Sequence, residues 1–285
     1  MSRPPLITDL PSEAREVHAQ ATPRESRHAG GRLVWHVWGQ GEPVVLLHGG
    51  SGSWTHWIRN VQALADAGRS AWVPDMPGFG DSDKPAGGED ADSLVDPLLE
   101  GIEQLLDGRA YDLVGFSFGG LTAGLMAARH PPGLRRLVLA GAPVAPVVQR
   151  ALRLLEWRHL TDPAEREKVH RHNLLTLMVA RQDRATPLDM QLHAANLDRD
   201  RMRRRHLVHS TALPDALERV TCPVDAIYGH DDAIFKHRID ELVAALDAIP
   251  TLRSRHLVKD SGHWVQFETP ESFNTLLLQV LSQAA

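Results

Sequence analysis

The sequence holds a single cysteine, Cys222, in 285 residues. One thiol cannot build an internal disulfide framework, and a chain without one suits a reducing compartment, so a cytoplasmic location is expected. Cys222 stands before Pro223 at the mouth of an apolar stretch and reads as a buried structural thiol. Long apolar runs are missing as well. None approaches the ~20 residues that cross a bilayer, and the first residues hold no apolar signal-peptide core, so no membrane partner is expected. Positive charge is not in excess: 31 Lys and Arg face 36 Asp and Glu, a net charge of −5, which gives no electrostatic case for nucleic acid. Internal repeats and low-complexity tracts are also lacking. The chain is 42% hydrophobic and 24% charged, ordinary for one large α/β domain or a domain with an insertion. Nothing in this balance bears on homo-oligomerisation, which stays open.

The stretch that organises the chain runs from Tyr111 to Leu121. Tyr111-Asp112-Leu113-Val114 is a short apolar strand, and Gly115-Phe116-Ser117-Phe118-Gly119 matches G-x-S-x-G before the start of a helix. The glycines have a mechanical purpose. A serine on a strained strand-to-helix turn brings two backbones so close that side chains at the flanking positions collide. Such a turn lifts the Ser117 hydroxyl above the sheet and points the first N–H groups of the helix at its surroundings, which suits a developing anion.

Residues 1–30 are polar and punctuated by Pro4, Pro5, Pro11 and Pro23, and are expected as a loosely packed arm. From Arg32 onward strands and helices alternate. Strands are expected at Leu33–Trp38, Pro43–Leu47, Ala71–Val73, Leu137–Ala140, Val224–Tyr228 and around His256–Val258, besides the one before Ser117. They are continuously apolar rather than two-sided, the mark of a mostly parallel sheet flanked by helices on both faces. The rhythm stops after Gly141-Ala142-Pro143. Residues 144–219 offer no convincing strand, are helical in pattern and rich in Arg and Leu, and are far longer than an ordinary connection. The expected organisation is therefore an α/β core, 31–143 and 220–285, interrupted by a helical insertion, 144–219.

A serine hydroxyl needs a base to take its proton, and the base needs an acid to orient it. In an open α/β sheet such groups collect in loops at the carboxyl ends of strands. The loop after Ala140 has no acid. The next strand ends in Gly229-His230-Asp231-Asp232, and the last strand is followed by Asp260-Ser261-Gly262-His263. Ser117, then Asp231 or Asp232, then His263 gives the order nucleophile, acid, base. Other histidines fit less well. His48 is placed to bond the backbone of its own loop, His256 lies within a strand and His237 heads a helix. His170, His172, His193, His206 and His209 fall in the insertion and are read as a solvated face. Without acidic or cysteine neighbours they make no metal site, and neither metal nor cofactor is expected. For the oxyanion, the expected donors are the N–H of Phe118 and an N–H from the glycine loop Gly49-Gly50-Ser51, Gly50 being favoured and Ser51 its rival.

With these residues in place the chain resembles the α/β-hydrolase superfamily from Arg32 to the C-terminus. His48-Gly49, Asp75-Met76-Pro77-Gly78-Phe79-Gly80, Gly115-Phe116-Ser117-Phe118-Gly119 and Gly262-His263 carry the resemblance. It implies the α/β-hydrolase fold, an acid that closes a Gly-x-x-Asp tetrad and is therefore Asp232, an insertion that forms a cap (lid) over the site, and a structural role for Asp75–Asp83. The run Ser261-Gly262-His263-Trp264-Val265-Gln266-Phe267-Glu268, followed by Phe273-Asn274, is similar to hydrolases that cleave carbon–carbon bonds in meta-cleavage products of aromatic degradation. Those enzymes carry a small polar residue where this chain has Phe116. They also bind the substrate's carboxylate with a cap arginine, for which Arg201, Arg203, Arg204 and Arg205 are candidates, although an Arg-rich helix is by default a solvated face. The expected activity is that of a cofactor-free serine hydrolase acting on a small, fairly apolar ester or lactone, with a carbon–carbon bond as the second choice. The rivals are a ligand receptor with a slow triad and perhydrolysis on the same residues. On the insertion, Leu155, Trp157, Leu174, Leu175, Leu177 and Met178 recur at roughly helical spacing and are expected to face inward.

Overall fold

The computed structural model describes residues 4–145 and 152–284, so the start of the expected insertion, 146–151, lies outside the described residues. Eight strands make one sheet: β1 (Thr22–His28), β2 (Gly31–Gly39), β3 (Glu42–Leu47), β4 (Arg69–Pro74), β5 (Tyr111–Phe116), β6 (Leu134–Ala140), β7 (Val224–Gly229) and β8 (Leu252–Val258). Their order across the sheet is β1-β2-β4-β3-β5-β6-β7-β8. β2 is antiparallel to both its neighbours and every other pairing is parallel. The helices are α1 (Ser12–His18), α2 (Val61–Asp66), α3 (Asp92–Leu106), α4 (Phe118–Ala127), α5 (Pro163–Asn173), α6 (Pro187–Asp198), α7 (Ala212–Leu217), α8 (Ile239–Asp247), α9 (Val265–Glu268) and α10 (Pro270–Ser282). No helix of the described residues is long and apolar enough to cross a membrane.

The continuous apolar runs follow from helices covering both faces. Successive strand residues point to opposite sides, so Val45, Leu47, Leu113, Leu137 and Leu139 join one buried cluster with α3, α4, α7 and α8. Val44, Leu46, Val114, Val138 and Ala140 join the other, with α2, α9 and α10. The lower end of β5 carries a feature the sequence reading missed. Asp112 is fully buried and forms ion pairs with Arg69, Arg135 and Arg136. Arg136 reaches on to the carbonyls of Val280 and Gln283, which ties α10 to the sheet.

Two expectations are corrected here. The N-terminal segment is no loose arm: β1 pairs with β2 over its whole length, and Leu6, Leu10 and Ala14 are buried. The pairing is made by backbone groups, since only Ser26 among the β1 side chains is buried. The segment between β6 and β7 contains α5, α6 and α7 and, among its described residues, no strand, but 199–206 is irregular rather than helical. Cys222 is half-buried against the core, and burial pushes its thiol up to about 11.

Candidate active site

Ser117 stands between β5 and α4 with φ 52° and ψ −117°, a left-handed backbone that a non-glycine residue adopts only under constraint. The constraint is steric. A Cβ on Gly119 would lie 2.4 Å from the His48 carbonyl oxygen, so α4 approaches the end of β3 as closely as only glycine permits. The serine is thereby raised toward the loop after β8. His263 Nε2 lies 2.9 Å from Ser117 Oγ, and its Nδ1 lies 2.9 Å from Asp232 Oδ2. A carboxylate only accepts, so Nδ1 carries the proton and donates to Asp232, leaving Nε2 to accept from the serine hydroxyl. Asp232 is fully enclosed, and its Oδ1 accepts the Ile234 N–H at 2.9 Å. The three residues expected to meet do meet. Asp231 turns its half-exposed side chain toward His230 instead.

Loop against loop, the acid and base are held by backbone contacts. A Cβ at Gly229 would fall 2.1 Å from the Gly262 carbonyl oxygen. Glu268 accepts the N–H groups of Gly262, Ala180 and Arg181, which fixes the turn before His263 and joins it to the inserted segment. Trp264 stacks on Phe267 with ring centres 4.0 Å apart and donates to the His56 carbonyl.

A cavity of about 400 Å³ opens over Ser117 and His263, with Gly49, Gly50, Ser51 and Phe118 in its wall. The Phe118 N–H begins α4, where helix geometry leaves it without an intrahelical acceptor. Gly50 lies close to the Phe118 side chain: a Cβ built on Gly50 would be 3.5 Å from the Phe118 Cβ. The inserted segment forms much of the remaining wall, through Leu177, Met178, Leu197 and Val208 among others. It is bonded to the glycine loop: Ser53 Oγ donates to Asn196 Oδ1 at 2.7 Å, and Asn196 Nδ2 donates to Thr55 Oγ1 at 2.9 Å.

Of the residues expected to face inward, Leu177 and Met178 line the cavity, and Leu174 is buried in the second core cluster. Trp157 does not line it. Its ring packs on His170 at 4.8 Å beneath Arg158 and Arg166, so it holds the inserted segment to itself, while Leu155 is exposed. Among the arginines, Arg204 is exposed, Arg201 donates to the carbonyls of Gly78, Phe79, Gly80 and Ser82, and Arg203 and Arg205 border the cavity.

Three histidines need separate notice. His48 is fully buried; its Nε2 accepts the Met76 N–H and its Nδ1 donates to the Gly49 carbonyl, the loop-bonding role expected of it, and burial pushes it down to about 4. His56 and His193 also line the cavity, which the sequence reading did not foresee. His56 Nδ1 accepts the Gly49 N–H at 3.1 Å, and burial, aided by His48, His193 and His263, holds the ring neutral. The Nε2 of His193 is enclosed without a partner, and desolvation together with His170 lowers this imidazole to about 3. His170 is buried, not part of a solvated face. No cluster of three or more metal-ligating side chains occurs among the described residues.

The geometry can therefore draw a proton from a serine in a largely apolar cavity. A family model described as the alpha/beta hydrolase fold matches residues 42–270. The 2-hydroxymuconate semialdehyde hydrolase of Pseudomonas sp. (strain CF600) is 30% identical over 273 residues, covering 92% of this chain and 94% of the relative. A 2-hydroxy-6-oxononadienedioate/2-hydroxy-6-oxononatrienedioate hydrolase of Cupriavidus pinatubonensis is 28% identical over 260 residues, 84% of this chain and 86% of the relative. Among solved structures, the esterase RhEst1 from Rhodococcus sp. ECU1013 matches with a TM-score of 0.75 at 22% identity, over 92% of this chain and 99% of that one. A variant of the meta-cleavage product hydrolase CumD from Pseudomonas fluorescens IP01 matches at 0.71 and 22%, over 92% and 98%.

Proposed function

The chain belongs to the alpha/beta-hydrolase family, and from that premise we propose that it is a serine hydrolase cleaving a small, fairly apolar ester or lactone through an acyl-enzyme. The hydrogen-bonded series Asp232–His263–Ser117 is the observation that carries this reading. Ser117 Oγ forms a bond to the substrate's carbonyl carbon while its proton passes to His263 Nε2. The carbonyl π electrons move to oxygen, and the N–H groups of Phe118 and Gly50 donate hydrogen bonds to the anion so formed. Collapse expels the alcohol, which takes the proton from His263; water then repeats the sequence on the acyl-enzyme. Asp232 stabilises the imidazolium that forms in each half. The inserted segment acts as a cap that excludes water and sets acyl size.

A second reading, hydrolysis of a carbon–carbon bond, draws support from the activities for which the relatives are named and from Arg203 and Arg205 at the cavity wall. Phe116, packed 5.0 Å from the His263 ring, puts an apolar group beside the nucleophile and favours the ester. A fluorophosphonate probe is expected to label Ser117 alone, and Ser117→Ala to abolish labelling. Rates on p-nitrophenyl esters of graded acyl length, measured beside a meta-cleavage dienoate, decide between the two bonds. A folded protein that takes up no probe and turns over neither substrate would leave only the receptor reading.

A further inference from the structure

The inserted segment touches the glycine loop at one charged point. Asp200, whose side chain is 2% exposed, accepts from Ser51 Oγ at 2.5 Å and from the Met202 N–H at 2.9 Å, and pairs with Arg205 Nη2 at 3.0 Å. Ser51 itself has φ 52°, a left-handed conformation that a serine keeps only when held. Arg205 Nη2 also donates to Ser51 Oγ at 3.2 Å. The other guanidinium nitrogen, Nη1, is enclosed and has no hydrogen-bond partner, which is costly for a charged donor. Its position is what matters. A Cβ on Gly50 would lie 3.1 Å from Nη1 and 3.5 Å from the Phe118 Cβ, so the unpartnered donor lies close to Gly50, beside the two residues expected to supply the oxyanion N–H groups. The guanidinium carbon stands 5.6 Å from the Phe118 ring centre and 5.8 Å from that of Phe79, beside two apolar rings.

We propose that Arg205 Nη1 is a third, charged donor to the oxyanion formed on attack by Ser117, held in place by Asp200. The inference rests on the serine-hydrolase reading above. It gives the enclosed donor a partner that exists only in the transition state, the condition under which binding energy raises the rate rather than merely tightening substrate. An anchor for a substrate carboxylate is the rival role of the same guanidinium, and a neutral ester separates the two, since it forms the oxyanion but offers no carboxylate. A charged donor here also makes the oxyanion site a joint product of core and insertion: two donors come from the sheet's loops, and the third arrives only when the inserted segment is seated on Ser51.

The experiment compares wild type with Arg205→Met, Arg205→Lys and Asp200→Asn on neutral p-nitrophenyl butyrate, together with binding of a trifluoromethyl ketone that adds to a serine as a tetrahedral oxyanion. Removing one oxyanion donor lowers kcat by about 10²-fold or more, so Arg205→Met is expected to lose that much in kcat with KM changed only slightly. Affinity for the trifluoromethyl ketone should fall in step, and binding of the matching methyl ketone should stay as it was. Arg205→Lys should recover part of the loss, and Asp200→Asn should show a smaller loss of the same kind. If Arg205→Met does not fold, the other two variants carry the test by the same split. Unchanged kcat on the neutral ester, or a loss seen only as raised KM for carboxylate-bearing substrates, overturns the proposal. A wild-type protein that is not labelled at Ser117 by a fluorophosphonate fails the hydrolase reading itself; labelling with unaltered kcat in the variants fails this inference alone.

Discussion

At the scale of single residues, two neighbouring aspartates have opposite surroundings. Asp232 is enclosed and bonded to His263, while Asp231 is half-exposed beside His230. Replacing Asp232 by Asn keeps the shape but offers the imidazole a poor partner and the wrong tautomer, which in this kind of site costs on the order of 10⁴ in kcat. Asp232→Asn is therefore expected to lose three to four decades in that range with its melting temperature little changed, and Asp231→Asn to stay within about threefold. Steady-state rates on one ester are enough, and equal losses in the two variants would remove Asp232 from its assigned place. Ser117 and His263 were legible in sequence because the constraints on them are local: a strained turn demands glycines on both sides, and the base follows a strand end. The strand-end rule left Asp231 and Asp232 level, and only the family resemblance chose between them. Arg205 was not legible. In Arg201-Met202-Arg203-Arg204-Arg205 the charges are alike, and only contact with Asp200 distinguishes Arg205 from its neighbours. The available signal was Met202, an apolar residue within the run, which proves fully buried.

At the scale of elements, the inserted segment divides into residues that meet the cavity and residues that meet each other. Leu177 belongs to the first kind and Trp157, 8% exposed under two arginines, to the second. Shortening Leu177 to Ala enlarges the acyl-binding space, and a methylene in such a pocket is worth about tenfold or more in discrimination. Leu177→Ala is expected to shift kcat/KM toward longer acyl chains by about that factor. Trp157→Ala should cost on the order of 3 kcal/mol in stability and leave the chain-length profile unmoved. A profile that shifts in Trp157→Ala and not in Leu177→Ala would reverse the two assignments. Helical spacing alone could not separate them, since both sit in stretches that are apolar once per turn. The same limit hid β1, whose sequence Thr22-Pro23-Arg24-Glu25-Ser26-Arg27-His28 has no apolar alternation and joins the sheet through backbone hydrogen bonds.

For the molecule as a whole, buried neutral histidines make stability depend on pH. An imidazole in the unfolded chain titrates near ~6.5, whereas His48 in the fold titrates at about 4. Between those values the unfolded chain binds a proton that the fold excludes, so stability is lost as pH falls through this window and levels off below it. His48 alone accounts for about 2 kcal/mol of loss by pH 5, and His56 and His193 act in the same direction. Urea unfolding at pH 7.5 and pH 5 measures the sum; equal unfolding free energies would mean that these rings are charged in the fold. The adjacency of β6 and β7 has a consequence of another sort. The sheet pairs Leu137 with Val224 directly, whatever the chain does in between. Loop-closure entropy grows only as the logarithm of length, so doubling or halving the intervening chain changes it by roughly 0.6 kcal/mol. The core is thus a socket, nearly indifferent to the length of what is plugged between these two strands, and divergence can exchange one insertion for another without refounding the fold.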